Sequence, residues 1–339
     1  MMSLIRQAAS LKLTLVGMAA LAILSLAGAR SDVVDVGWTI VPLLLLSLNL
    51  LAAIVTNRSF RTQTGLLVFH VGLLFVFAFI GLTVLTRFDG RVEVLQGMPF
   101  DAAAVSVEQR GWMHRGNLDS IRFALRDVEV DYLPGLLRQR TSSEVQIIDG
   151  SGARRPLEID GHRGAEFSGY RFLATANKGF ALVLGWEDAS GARQFGAVHL
   201  PSYPKHDWKQ VNDWTTPAGQ PVRLELELEE PPIVTDAAWT LRRPSGGYRV
   251  HVQVAGAEIG VVSPGESIEL QGGRLVFADL RLWMGYSVDY YPFLPWMFVA
   301  AMLAIGGLAI HFGTRYLPQA ERRTEAVMKE APDGHVIGA

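Results

Sequence analysis

At 339 residues, with 31 basic and 33 acidic side chains, the chain has no charge excess that would draw it to nucleic acid or give it a polybasic membrane patch. It contains no cysteine, which excludes covalent c-type haem on this chain, thiol–disulfide chemistry and thiolate metal sites. Its 49% apolar content gathers in four blocks around an ordinary polar segment, the distribution of a membrane protein.

The opening residues are short and basic (Arg6, Lys12) and lead into an apolar run from Leu13 to Ala29, read as a first span. Ala27-Gly28-Ala29 also has the small-residue form of a signal-peptide cleavage site, the alternative for this stretch; cleavage there leaves the orientation of the rest unchanged. After a loop carrying Asp32 and Asp35, a second span runs from Trp38 to Thr56, with Pro42 in its first turn and Asn49 inside. The loop Asn57 to Thr64 carries Arg58 and Arg61. A third span, Gly65 to Thr86, has the roughly 20 apolar residues that cross a hydrocarbon core of about 30 Å. The fourth runs from Tyr291 to Thr314, before a tail with Arg315, Arg322, Arg323 and Lys329. Basic residues therefore fall on one side, which places both termini and the 315–339 tail in the cytoplasm and residues 87–290 outside it.

That outer segment reads as β. Ile121 to Tyr132, Val222 to Glu229, Tyr248 to Val254 and Arg274 to Leu280 alternate apolar and polar residues, punctuated by turns at Asp149-Gly150, Ser245-Gly246-Gly247 and Gly272-Gly273. Trp283, Tyr286, Tyr290, Tyr291 and Trp296 are expected to return the chain through an interfacial aromatic zone. The fold class expected is an integral membrane protein with four transmembrane α-helices, three N-terminal and one C-terminal. Between helices three and four lies a large extracytoplasmic all-β domain, a sandwich or an open barrel.

His70 is the residue that hydrocarbon should reject, and an intramembrane ionisable group is a functional hypothesis by default. It lies about 7–8 Å into the third span, where a neutral imidazole can ligate iron or bond to a neighbouring helix, Asn49 being the partner at comparable depth. His311 sits near the same edge on the last span and can either face His70 across a ligand or simply complement the helix end. The outer histidines, His114, His162, His199, His206 and His251, form no short metal-ligand spacing. The loop Tyr203 to Trp214 combines two tryptophans, a histidine and two aspartates, and suits either a planar hydrophobic ligand or a minor core. No Gly-x-Ser-x-Gly, phosphate loop or zinc-hydrolase motif is present, so no catalytic residue is expected on this chain.

Several stretches carry a resemblance. They are the third span with His70-Val71-Gly72-Leu73-Leu74, its exit Phe88-Asp89-Gly90-Arg91-Val92-Glu93-Val94-Leu95-Gln96-Gly97, the strand Phe123 to Tyr132, and Gly169-Tyr170-Arg171-Phe172-Leu173. In order and spacing the chain resembles the ResB family of cytochrome c biogenesis proteins, of system II cytochrome c maturation. The resemblance implies an accessory subunit of a cytochrome c haem lyase in the inner membrane. Its partners would be a CcsA-type multispanning protein and apocytochrome c, with haem b held non-covalently in transit. It matches His70 to the family's intramembrane haem ligand. His311 departs from the pattern, in which the partner supplies the second axial ligand. The chain is also shorter than typical members, and its loop around Trp208 and Trp214 does not match the partner's tryptophan-rich box. The rival from another class is a haem-free membrane scaffold whose β domain binds a polypeptide, with Ala301, Ala304, Gly306 and Gly307 packing against another membrane subunit.

Overall fold

The computed structural model describes residues 7–30, 35–148, 154–204, 208–229 and 236–330. Arg6, Asp32, the Asp149-Gly150 turn and His206 lie outside the described residues. The chain divides into two units: Met1–Arg87 with Arg110–His114 and Tyr291–Ala339, and Phe88–Gln109 with Arg115–Tyr290.

The first unit is helical: α1 (Leu11–Arg30), α2 (Ile40–Thr56), α3 (Arg58–Thr62), α4 (Thr64–Thr86) and α5 (Leu294–Glu330). Four stretches, Leu11–Gly28, Gly37–Thr56, Thr64–Thr86 and Leu294–Tyr316, are long and apolar enough to cross a membrane. Several of their hydroxyls are satisfied within the helix, whereas the buried Thr83 hydroxyl has no partner among the described residues. Ser47, Thr56 and Thr86 each donate to the carbonyl four residues back. The connection after α2 is a short helix rather than a plain loop, because Asn57 caps it by accepting from the Ser59 N–H at 3.0 Å. That turn buries Phe60.

Helices α4 and α5 run antiparallel at close range. A Cβ on Gly72 would stand 2.6 Å from the Ala304 nitrogen, and one on Gly65 would collide with the His311 backbone. A Cβ on Gly307 would in turn meet the Phe69 nitrogen. Glycines along this seam are what let the backbones approach. Ala304 and Gly307 are thereby used within the chain, so two of the four small residues credited to an external subunit already have a partner.

The second unit is a set of open antiparallel sheets. Its strands are β1 (Phe88–Leu95), β2 (Ser106–Arg110), β3 (Phe123–Leu133), β4 (Leu137–Ile148) and β5 (Arg154–Asp160). Then come β6 (Ala165–Phe167), β7 (Tyr170–Asp188), β8 (Arg193–His199), β9 (Val211–Thr215) and β10 (Pro221–Leu228). The series closes with β11 (Trp239–Leu241), β12 (Tyr248–Val254), β13 (Ala257–Val262), β14 (Ser267–Leu270) and β15 (Gly273–Tyr290). One sheet runs β2-β1-β15-β7-β6, with β14 beside β15 and β8 beside β7; the others run β13-β12-β10-β9 and β11-β3-β4-β5.

Alternation builds these strands, and its one slip is informative. In β3 the buried residues are Phe123 and Leu125, then Val128, Val130 and Tyr132. A bulge between Leu125 and Asp127 changes the parity and lets both halves face the same core. An aromatic cluster fills that core: Phe123 stacks on Phe100 and Phe167, and Phe172 meets all three edge-on. The expected interfacial aromatic zone is corrected here. Trp283 and Tyr286 are buried in β15, which continues past Leu280 to Tyr290, and Tyr290 packs against the same core. A central strand covered on both faces loses alternation, so its aromatic run imitates a membrane-interface segment.

Candidate functional site

In the helical unit a cavity of about 640 Å³ lies among α1, α2, α3 and α4. Leu11, Leu21, Leu46, Leu50, Leu73 and Phe77 contribute apolar wall, and Asn49 and His70 also line it. Few polar groups in an apolar hollow of this size is the usual composition of a small-molecule site.

Each polar group has a definite task. Asn49 is buried, its Oδ1 accepts from the Thr14 hydroxyl at 2.7 Å, and its Nδ2 donates to the carbonyls of Ala8 and Ser10 at 2.6 and 3.1 Å. It thus holds the bend where the chain enters α1 and makes no bond to His70. His70 bonds instead along its own helix, with Nδ1 2.8 Å from the Leu66 carbonyl. A carbonyl only accepts, so Nδ1 donates, and in the neutral tautomer this leaves the lone pair on Nε2. Among the described residues Nε2 has no hydrogen-bond partner. The ring is wedged between Phe60, at a centroid distance of 4.4 Å, and Phe69, at 4.9 Å and edge-on. One nitrogen is thus anchored and the other makes no hydrogen bond among the described residues, the arrangement in which the opposite nitrogen sets a histidine's tautomer.

His311 does not share this cavity. Its backbone crosses α4 at Gly65, and His70 is five residues further on, about 140° around the helix. The His311 ring contacts Phe312, at 5.5 Å. Sequence reasoning missed Thr14, which completes the Asn49 knot, and Phe60, which pins His70. It also missed Met18, whose thioether side chain lines the cavity. The Asn57 cap was the available signal for Phe60; nothing in the sequence pattern marks Met18.

In the β unit the histidines are engaged differently. His251 reaches Glu227 with Nε2 at 2.7 Å and Glu258 with Nδ1 at 2.8 Å, and these two carboxylates hold its pKa above the usual imidazole value. Hydrogen bonds from Arg249, then His251, hold the Glu227 carboxyl down at about 2. His199 pairs with Glu93 at 2.5 Å and stacks on Trp283. Among the described residues no three His, Asp or Glu side chains converge as metal ligands. Trp208 contacts Tyr203, whereas Trp214 packs on Trp186, so the two tryptophans of the aromatic loop serve separate clusters.

No family model and no curated protein matches this sequence. Among solved structures, one that it resembles is described as cytochrome c haem lyase CcmF, at 13% identity and a TM-score of 0.27. The match covers 89% of this chain and 34% of that one, so the chain spans about a third of its length. A likeness that loose speaks to neither fold nor chemistry, and the cavity must be read from its own residues.

The residues fit haem in donor chemistry and in wall composition. His70 in its neutral tautomer is an iron-ligand type, and the lining is mostly apolar with no Asp, Glu, Lys or Arg.

Proposed function

We propose that this chain is an accessory membrane subunit of a cytochrome c synthetase, holding haem b through His70 for delivery to apocytochrome c. The observation that carries the reading is the imidazole of His70, its Nδ1 donating to the Leu66 carbonyl, in the wall of a largely apolar cavity. The resemblance to ResB proteins supports it, and supplies a CcsA-type partner as the source of the second axial ligand. On this reading the protein is multi-pass in the inner membrane with both termini cytoplasmic. The β unit is the extracytoplasmic part that docks the partner or the apocytochrome.

When bound, haem supplies the iron and the vinyl groups that react with cysteine thiols. The chain's own residues do the rest of the holding. The Leu66 carbonyl fixes the orientation of the His70 ring, Phe60 and Phe69 keep it from swinging, and the leucine walls exclude water. Asn49 fixes the bend that positions α1 as one wall. On this reading thioether formation belongs to the complex with the CcsA-type partner.

The test is maturation of a reporter apocytochrome c in a host without its own maturation machinery, co-expressing a CcsA-type partner. Holocytochrome should need this chain and should fall at least about tenfold in His70→Ala, as a lost metal ligand implies. Full maturation without the chain would overturn the reading. The haem-free scaffold has one observation in its favour, the snug aromatic packing around His70, which would make that residue a helix contact. It predicts that His70→Leu leaves every function intact.

A further inference from the structure

Residues Arg110–His114 belong to the helical unit although Arg110 is the last residue of β2. The reason is a set of hydrogen bonds to the end of α4. The Gly111 N–H donates to the Arg87 carbonyl at 2.9 Å and the Met113 N–H to Leu85 at 2.8 Å, while His114 Nδ1–H donates to Thr86 at 2.9 Å. These are successive carbonyls of the kind a helix C-terminus leaves without partners. The approach requires glycine at 111, where a Cβ would collide with the Leu85 carbonyl. His114 is buried beneath the turn.

Capping accounts for the backbone of this segment and not for its tip. Trp112 is 65% exposed and Met113 50%. The Trp112 ring lies against the chain just before α2, with Cζ2 3.1 Å from where a Gly37 Cβ would stand. The next residue, Trp38, is 56% exposed, and Trp296 in the first turn of α5 is 58% exposed. Phe79 of α4 stacks on Phe293 just before α5, so the start of α2, the end of α4 and the start of α5 share one end of the bundle. Three exposed indoles therefore collar that end. Arg110 precedes the tip, exposed and, among the described residues, in no salt bridge. An apolar tip bearing an indole beside a cation matches the headgroup region, where tryptophan concentrates and arginine reaches phosphate.

We propose that residues 110–114 form an interfacial anchor, with Trp112 and Met113 seated in the headgroup–acyl boundary of the bilayer and Arg110 on lipid phosphate. The anchor rests on the four apolar helices spanning that bilayer. Because the chain has no native cysteine, single-cysteine variants report on it cleanly. Met113→Cys, Trp112→Cys, Trp38→Cys and Phe195→Cys, the last on an exposed residue of β8, would each carry a nitroxide in phosphatidylcholine–phosphatidylglycerol vesicles. Power saturation then compares relaxation by oxygen, which partitions into lipid, with relaxation by a water-soluble nickel chelate. The anchor predicts that labels at 112 and 113 favour oxygen, as at 38, while the label at 195 favours the chelate. A chelate-accessible tip, or one shielded from both agents as under a protein partner, would overturn the proposal. A chelate-accessible label at 38 as well would overturn the bilayer reading of the helices along with it.

Discussion

His251 in the β unit and His70 in the helical unit are held by opposite kinds of neighbour. Both nitrogens of His251 donate to carboxylates, which is possible only for the imidazolium, and the ring is a clasp across β10, β12 and β13. His70 has one nitrogen on a carbonyl and the other without a partner among the described residues. The packing around them differs in the same sense. The β unit fills its core with interlocked rings, whereas the helical unit leaves a hollow of about 640 Å³ beside its histidine. One residue type is thus tied by both nitrogens in one unit and by one in the other, which is what the proposed ligand role of His70 rests on.

The largest expected effect tests the filled side of this contrast. Phe172 is fully buried in the ring cluster, so Phe172→Ala should cost the β unit about 3–5 kcal/mol, read as a loss of its cooperative thermal transition in detergent. A cost below about 1 kcal/mol would mean the core is less tightly filled than described. Next is Asn49→Leu, which removes the Asn49 bonds to the Ala8 and Ser10 carbonyls and to the Thr14 hydroxyl, although Ser10 keeps the Leu13 and Thr14 N–H groups as donors. Interhelical hydrogen bonds in apolar surroundings are worth about 1–2 kcal/mol, and thermal unfolding with protease sensitivity near residue 10 should register that loss.

A smaller effect distinguishes the charged histidine. The raised pKa of His251 means its clasp contributes fully below the unfolded value of about 6.5 and is lost as pH rises through the folded value. Glu227, held at about 2, stays ionised throughout that window. The β-unit melting temperature should therefore decline modestly from mildly acidic to alkaline pH, and His251→Gln should flatten the slope; an unchanged slope would remove His251 as its cause. Smallest of all in stability is Ala53→Phe, which adds a ring to the hollow rather than to a packed core. Thermal stability should hold steady while bound haem is lost. A strongly destabilised variant would show the hollow to be closed to added volume.

The sequence made the apolar helices legible because a span must declare itself through about twenty consecutive apolar residues. His70 was legible for the same reason, as the ionisable residue deep in such a run. What surrounds it was not. Asn49 at matching depth suggested a bond between the two, yet the Asn49 amide is used on Ala8, Ser10 and Thr14, and depth along a helix carries no information about facing. His311 failed to join His70 for that reason, since the glycine seam puts α5 on another side of α4. In the β unit, alternation found β10 and β12 closely, but β15 was cut short at Leu280. Its remainder is covered on both faces, and burial there erases the period that reveals a strand. The tight turn at 110–114 left a clue in Gly111, whose reason, a helix end needing donors, exists only in three dimensions.

The central claim is that His70 ligates haem iron, and the most direct measurement is the absorption spectrum of the detergent-purified chain, oxidised and dithionite-reduced, alone and with a CcsA-type partner. Sharp reduced α and β bands are predicted for the wild type, and they should vanish in a folded His70→Ala variant while surviving His311→Ala. Bands that persist in His70→Ala, or a colourless wild type from a haem-replete host in both preparations, would contradict it.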